Sequence, residues 1–294
     1  MSFYKQFSIV FFCLFYFTAI AQRSTDIYLM DVDWSNGFEY SNVKVISLND
    51  GYNNQPNFSA NGDYFLYTSI ANEQADIFKY DIKSGITKQI THSPESEFSP
   101  TLLPNQIEYS TVRVEKDGAQ RLWKINQNNA SASLVLPSIK GIGYHTWLTD
   151  KKLALFVVGQ PHQMHIANVK KDNSIQVGEK IGSAIHKVPN EKAFAYIDWS
   201  DSTNCTIKTR NFKGKKEQTI CPCAPEAEYF IHRPNGNLLS VKGSTLYYWD
   251  KKSNEKEWQE IAHFTEIDAD FYRLAISADG SKLALVGYRF QLTE

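Results

Sequence analysis

One short pattern recurs six times along this chain, and that recurrence limits the fold more than any other feature of the sequence. Residues 57–67 read NFSANGDYFLY, and the pattern returns as IHRPNGNLLSV at 231–241 and AISADGSKLAL at 275–285. Looser copies lie at 100–109, 146–155 and 186–196. Aligned on Phe58, the anchors are Thr101, Trp147, Lys187, His232 and Ile276, spaced by 43, 46, 40, 45 and 44 residues. A period of roughly 40–50 residues with four short strands in each repeat describes the blade of a β-propeller. In the clearest copies a first strand ends in Asn-Gly or Asp-Gly, which accepts the positive φ of a tight turn, and a second strand follows.

A second column keeps the same period. Third strands read DIYLMD (26–31), DIFKYD (76–81), RLWKIN (121–126), QMHIAN (163–168), CTIKTR (205–210) and TLYYWD (245–250). Five of the six end in Asp or Asn, residues whose side chains hydrogen-bond the backbone of a following turn; Arg210 is the exception. Fourth strands follow, at 43–48, 86–91 and 217–221 among others. The two columns are out of phase at the ends of the chain. The third-strand column begins before the first first-strand, and the last first and second strands, near 271–277 and 282–288, have no third strand after them. Pairing the N-terminal strands with the C-terminal ones makes six complete blades and removes two open sheet edges. The predicted fold is therefore all-β, a six-bladed propeller closed by both ends of the chain in one blade.

The repeat, written P-x-F-S-x-x-G-x-x-x-x-Y-x-S and followed by D-I-[YF]-x-x-D, resembles the TolB-like six-bladed propeller family. Residues 56–69 with 76–81 are the best copy, and the resemblance runs over about residues 25–290. The middle blades depart from it: 101–110 lacks the Gly, and 146–156 and 186–196 lack both the Gly and the usual Ser. The resemblance implies the propeller alone. The extra N-terminal domain of TolB is expected to be absent, so the partners of that domain are not carried over.

The first 21 residues read differently. Lys5 precedes an apolar core, FSIVFFCLFYF (7–17), and Ala19-Ile20-Ala21 puts small residues where a signal peptidase reads them. The predicted domains are a signal peptide, 1–21, and the propeller, 22–294. The expected location is the periplasm or the extracellular space, with no membrane insertion after cleavage. Lys plus Arg number 31 against 32 Asp plus Glu, so no basic face for nucleic acid follows. A monomer is expected. Export permits a disulfide among Cys205, Cys221 and Cys223. A hairpin turning near 212–214 would place Cys205 opposite Cys221. Cys223 is the alternative partner, and three free thiols are the third possibility.

Catalytic motifs are sparse. No HExxH, DxDxDG, clustered Cys/His or G-x-S-x-G pattern occurs, so neither a metal nor a cofactor is predicted. His162 and His165 are three apart, which on a strand puts them on opposite faces, and His165 falls in the aromatic column. The loops that enter the first strands surround one mouth of the channel. They carry Glu97, Phe98, Tyr144, His145, Glu228, Tyr229, Tyr272 and Arg273. Aromatics with a few charges suit a protein, peptide or envelope-glycan ligand. Packing of the tyrosines between blades is the competing explanation. A hydrolase or lyase working in the channel is the alternative function.

Overall fold

A computed structural model describes residues 24–47 and 50–289. The stretch read as a signal peptide lies outside the described residues. Among the described residues there are six sheets of four antiparallel strands arranged as a propeller. The innermost strands are Asn53–Phe58, Ser96–Leu102, Ile142–Thr149, Ile181–Lys187, Ile231–His232 and Ala269–Ile276, in blades 1 to 6.

Strand alternation explains how the ring holds together. In Tyr64–Ala71 of blade 1, Phe65 and Tyr67 turn toward blade 6, beside Ile27, Leu29 and Val286. Leu66 between them turns toward blade 2, beside Tyr109 and Ile125. Both faces of the blade are thus apolar, and the core is divided among the six blade interfaces rather than gathered at a centre. That division leaves the axis free for a channel.

Blade 6 combines the two ends of the chain. Its order from the axis outward is Ala269–Ile276, Lys282–Arg289, Thr25–Asp33, Glu39–Val45. Thr25–Asp33 runs antiparallel to Lys282–Arg289, with Tyr28 opposite Leu285 and Met30 opposite Leu283. Ion pairs tie both ends of that pairing. Arg289 donates to the two carboxylate oxygens of Asp26 at 2.8 and 3.0 Å, and Lys282 donates to Asp31. The outer strand lies at Glu39–Val45 rather than at 43–48, and it carries a bulge at Asn42 and Val43, opposite Met30.

The turn that follows the third strand is capped where the sequence placed Asp or Asn. Asp81, Asn126, Asn168 and Asp250 each accept a backbone N–H two or three residues on. Blade 4 is not an exception, because its cap is Asn211, one residue beyond Arg210, accepting from Lys213 and Lys215. In blade 6 Asp33, not Asp31, accepts from Ser35.

The disulfide joins Cys205 to Cys223, not to Cys221. The turn after Asn211 runs on to Lys215, and a bulge between Ile207 and Lys208 adds a further step to the register. Ile207 therefore faces Cys221, Thr206 faces Pro222, and Cys205 comes within 5.6 Å of Cys223 between Cα atoms. Cys221 is buried and free, and burial pushes its thiol up to about 12.

Candidate functional site

Five of the six innermost strands carry a bulge near the end where they approach the axis. The interruptions fall between Asn54 and Asn57, Phe98 and Thr101, Ile142 and Tyr144, Ile181 and Ile185, and Phe271 and Arg273. A bulge adds an unpaired residue and re-aims the side chains next to it. Gln55 and Ser99 take positive φ there, 61° and 54°. The result is a ring of Gln55, Ser99, Tyr144, Ser183, Tyr229 and Arg273 on the channel wall. A fixed offset from the repeat anchor points instead to Phe98 and Ala184; the bulges move the lining by one residue in blades 2 and 4.

From this ring a cavity of about 500 Å³ extends along the axis to the turns that leave the innermost strands. Exposed Ala60, Pro104, Lys187 and Ala278 surround its outer end. The residues expected around a mouth thus stand at the inner end of the cavity, and the wide opening is at the opposite side of the ring. No Asp or Glu lines the cavity among the described residues.

The mouth constellation read from the sequence is only partly assembled. Tyr144, Tyr229 and Arg273 meet. The Arg273 carbon lies 4.2 Å from the centre of the Tyr229 ring and 5.6 Å from that of Tyr144, and its Nη2 donates to the Tyr144 hydroxyl at 3.4 Å. Tyr272 stands behind them, accepting from Asn54 Nδ2 at 2.5 Å and stacking on Tyr288 at 4.7 Å. Glu97 is withdrawn into blade 2. It is fully buried, directly opposite Arg113 across the strand pair, and takes both Arg113 Nε and Nη2 on one oxygen at 3.0 and 2.6 Å, with Ser93 at 3.0 Å. Phe98 is half-buried and Glu228 is exposed, and neither lines the cavity.

Charge and burial oppose each other around Arg273. Burial pushes the phenols of Tyr52 and Tyr272 up, and the Arg273 charge pulls each partly back. Burial also raises Tyr229, to about 12. At Tyr144 burial acts upward too, but the Arg273 charge and hydrogen bonds from Arg273 and Gln55 outweigh it and hold the phenol below its ordinary value. Tyr52 is a residue the repeat alignment passed over, because it precedes the strand whose alternation was read.

Three histidines from adjacent blades line the same cavity: His145, His186 and His232. Burial holds them down to about 3, 4 and 3, so they are neutral near pH 7. His145 Nε2 lies 2.6 Å from Ser110 Oγ, which also accepts from Trp147 Nε1 at 2.8 Å and donates to the Thr101 carbonyl at 3.3 Å. All three bonds are made together only if His145 carries its proton on Nε2. His145 Nδ1, His186 Nε2 and His232 Nδ1 have no partner. No group of three metal-binding side chains converges among the described residues. His162 and His165 do not form a pair: His165 is held by Ser174 and Gln163 at 3.0 Å each, and the His162 ring rests on Phe156 at 4.7 Å.

No protein-family model and no curated protein sequence matches the chain. Solved structures do match it in three dimensions. TolB from Acinetobacter baumannii aligns over 90% of this chain with a TM-score of 0.57 and 12% identity. The chain spans 63% of the length of that protein. A protein assigned as TolB from Agrobacterium tumefaciens aligns over 92% of this chain and 100% of its own, with a TM-score of 0.67 and 11% identity. An oligogalacturonate lyase from Vibrio parahaemolyticus aligns over 88% of this chain and 86% of its own, at 0.59 and 12%. The chain has a TolB-like six-bladed propeller fold.

Proposed function

We propose that this chain is an exported binding module that takes its ligand, a peptide or glycan segment, through the wide end of the central channel. The observation that carries the reading is the cavity itself. It is deep, lined by aromatic, proline and amide side chains, and ends on a cluster of Arg273, Tyr144 and Tyr229. Cavities of this size, with polar groups placed among apolar and aromatic side chains, are a usual form of small-ligand site. Among the described residues no paired carboxylates for general acid and base work line it. Export rests on the apolar core and Ala-Ile-Ala of residues 7–21.

The test is a glycan array and a peptide library probed with the mature chain and with Ala278→Trp, which narrows the wide end. Ligands that bind the wild type and not the variant support the reading. Ligands indifferent to the blockage place recognition on the outer surface. The alternative is a lyase or hydrolase, and one observation favours it: three neutral channel histidines, each with an unpartnered ring nitrogen. Turnover of a bound glycan that is lost in His186→Gln would replace binding by catalysis.

A further inference from the structure

Arginine is always charged in proteins, and a buried charge without a partner is costly. Arg273 is 7% exposed, yet no carboxylate among the described residues pairs with it. Among the described residues its Nε has no acceptor, and the one bond it makes to a side chain is the long one to Tyr144. The rings of Tyr229 and Tyr144 hold the guanidinium in place, their centres 4.2 and 5.6 Å from its carbon. Contacts to ring faces use up none of its N–H donors, which leaves the two terminal amino groups for something else. Arg273 lines the cavity, so the terminal amino groups are within reach of a ligand.

We propose that Arg273 seats the carboxylate of a small organic acid at the inner end of the channel. This deepens the channel-binding reading and rests on it. The guanidinium fork matches the two oxygens of a carboxylate in a plane. The Tyr144 hydroxyl accepts from Arg273 and keeps its own proton to donate to the same group. Charge balance selects a single negative charge. Lys187 is far out at the rim, exposed, and the histidines of the wall, His145, His186 and His232, are neutral. One buried positive charge is therefore offset by a carboxylate, whereas a phosphate dianion would bring an excess charge into a wall of phenols.

Titration calorimetry on the mature chain tests this with matched pairs that differ in the carboxylate: D-galacturonate against D-galactose, and N-acetylglycine against its amide. At least one acid should bind one to one, its neutral partner about tenfold more weakly or worse, and Arg273→Met should lose about a hundredfold in affinity. Because the substitution removes an unpaired buried charge, Arg273→Met should melt no earlier than the wild type. Which acid binds distinguishes a sugar acid from a peptide end. Acids and neutral partners that bind alike overturn the carboxylate seat while leaving the channel reading intact. Acids that bind Ala278→Trp unchanged overturn the channel reading instead. Inorganic phosphate binding as tightly as the acids, or no acid binding at about 10 mM, also overturns the proposal. The wild-type comparisons stand whether or not the variant folds.

Discussion

His145 offers a test of the channel wall that needs no ligand. Its side chain is 7% exposed, and burial holds its pKa near 3 against 6.5 for a free histidine. In the unfolded chain it takes up a proton as the pH falls through 6.5, and in the folded chain it does not. Stability therefore falls with pH across that range, because the unfolded state binds the extra proton. Between pH 7 and pH 5 the loss from this one residue is about 2 kcal/mol, against a total stability of about 5–15 kcal/mol for an ordinary domain. His186 and His232, also held down by burial, act in the same direction. The perturbation is His145→Gln, which retains a donor for Ser110 and cannot be protonated. Urea unfolding at pH 7 and pH 5 gives four free energies. The wild type should lose about 2 kcal/mol more than the variant on acidification. Equal losses in the two proteins would mean that His145 is already free to charge in the folded channel, and would refute the argument.

Two further outcomes are expected. Cys223→Ser should lower stability by about 3 kcal/mol under non-reducing conditions, as expected for opening a loop of this length, whereas Cys221→Ser should change it little; denaturant midpoints of the two variants distinguish them. Deleting residues 24–45 should leave Lys282–Arg289 as an uncovered edge and yield an aggregating chain, and a monomeric, cooperatively melting product by light scattering and calorimetry would contradict this.

The blade count was legible in the sequence because each blade must bury two faces, and that demand imprints a repeat of apolar alternation and turn residues. Phe65, Leu66 and Tyr67 show how directly: adjacent residues serve opposite interfaces. The inner site was legible only in outline. Tyr144, Tyr229 and Arg273 lie at one position of the repeat, and they do meet. Glu97 is adjacent to that position in sequence, but the register of its strand places it opposite Arg113, which captures it. Ser99 and Ser183 replace Phe98 and Ala184 on the wall because bulges do not announce themselves in a pattern of period two. The same blindness hid the disulfide register: a bulge at Ile207 and a longer turn shift Cys205 from Cys221 to Cys223.

The composite sixth blade sets an order on biosynthesis. Of the described strands, Thr25–Asp33 is made first and its partner Lys282–Arg289 last. Through nearly all of translation the early strand has one edge without its mate, and Met30 and Val32, which pack against blade 5 in the finished ring, have no wall to lie against until that blade is made. Every other blade is complete as soon as its own stretch has been made. An unfinished chain therefore carries its aggregation risk at Thr25–Asp33, the earliest of the described strands. The bond that locks the circle also serves as a length check, since a product truncated before Lys282 cannot make it.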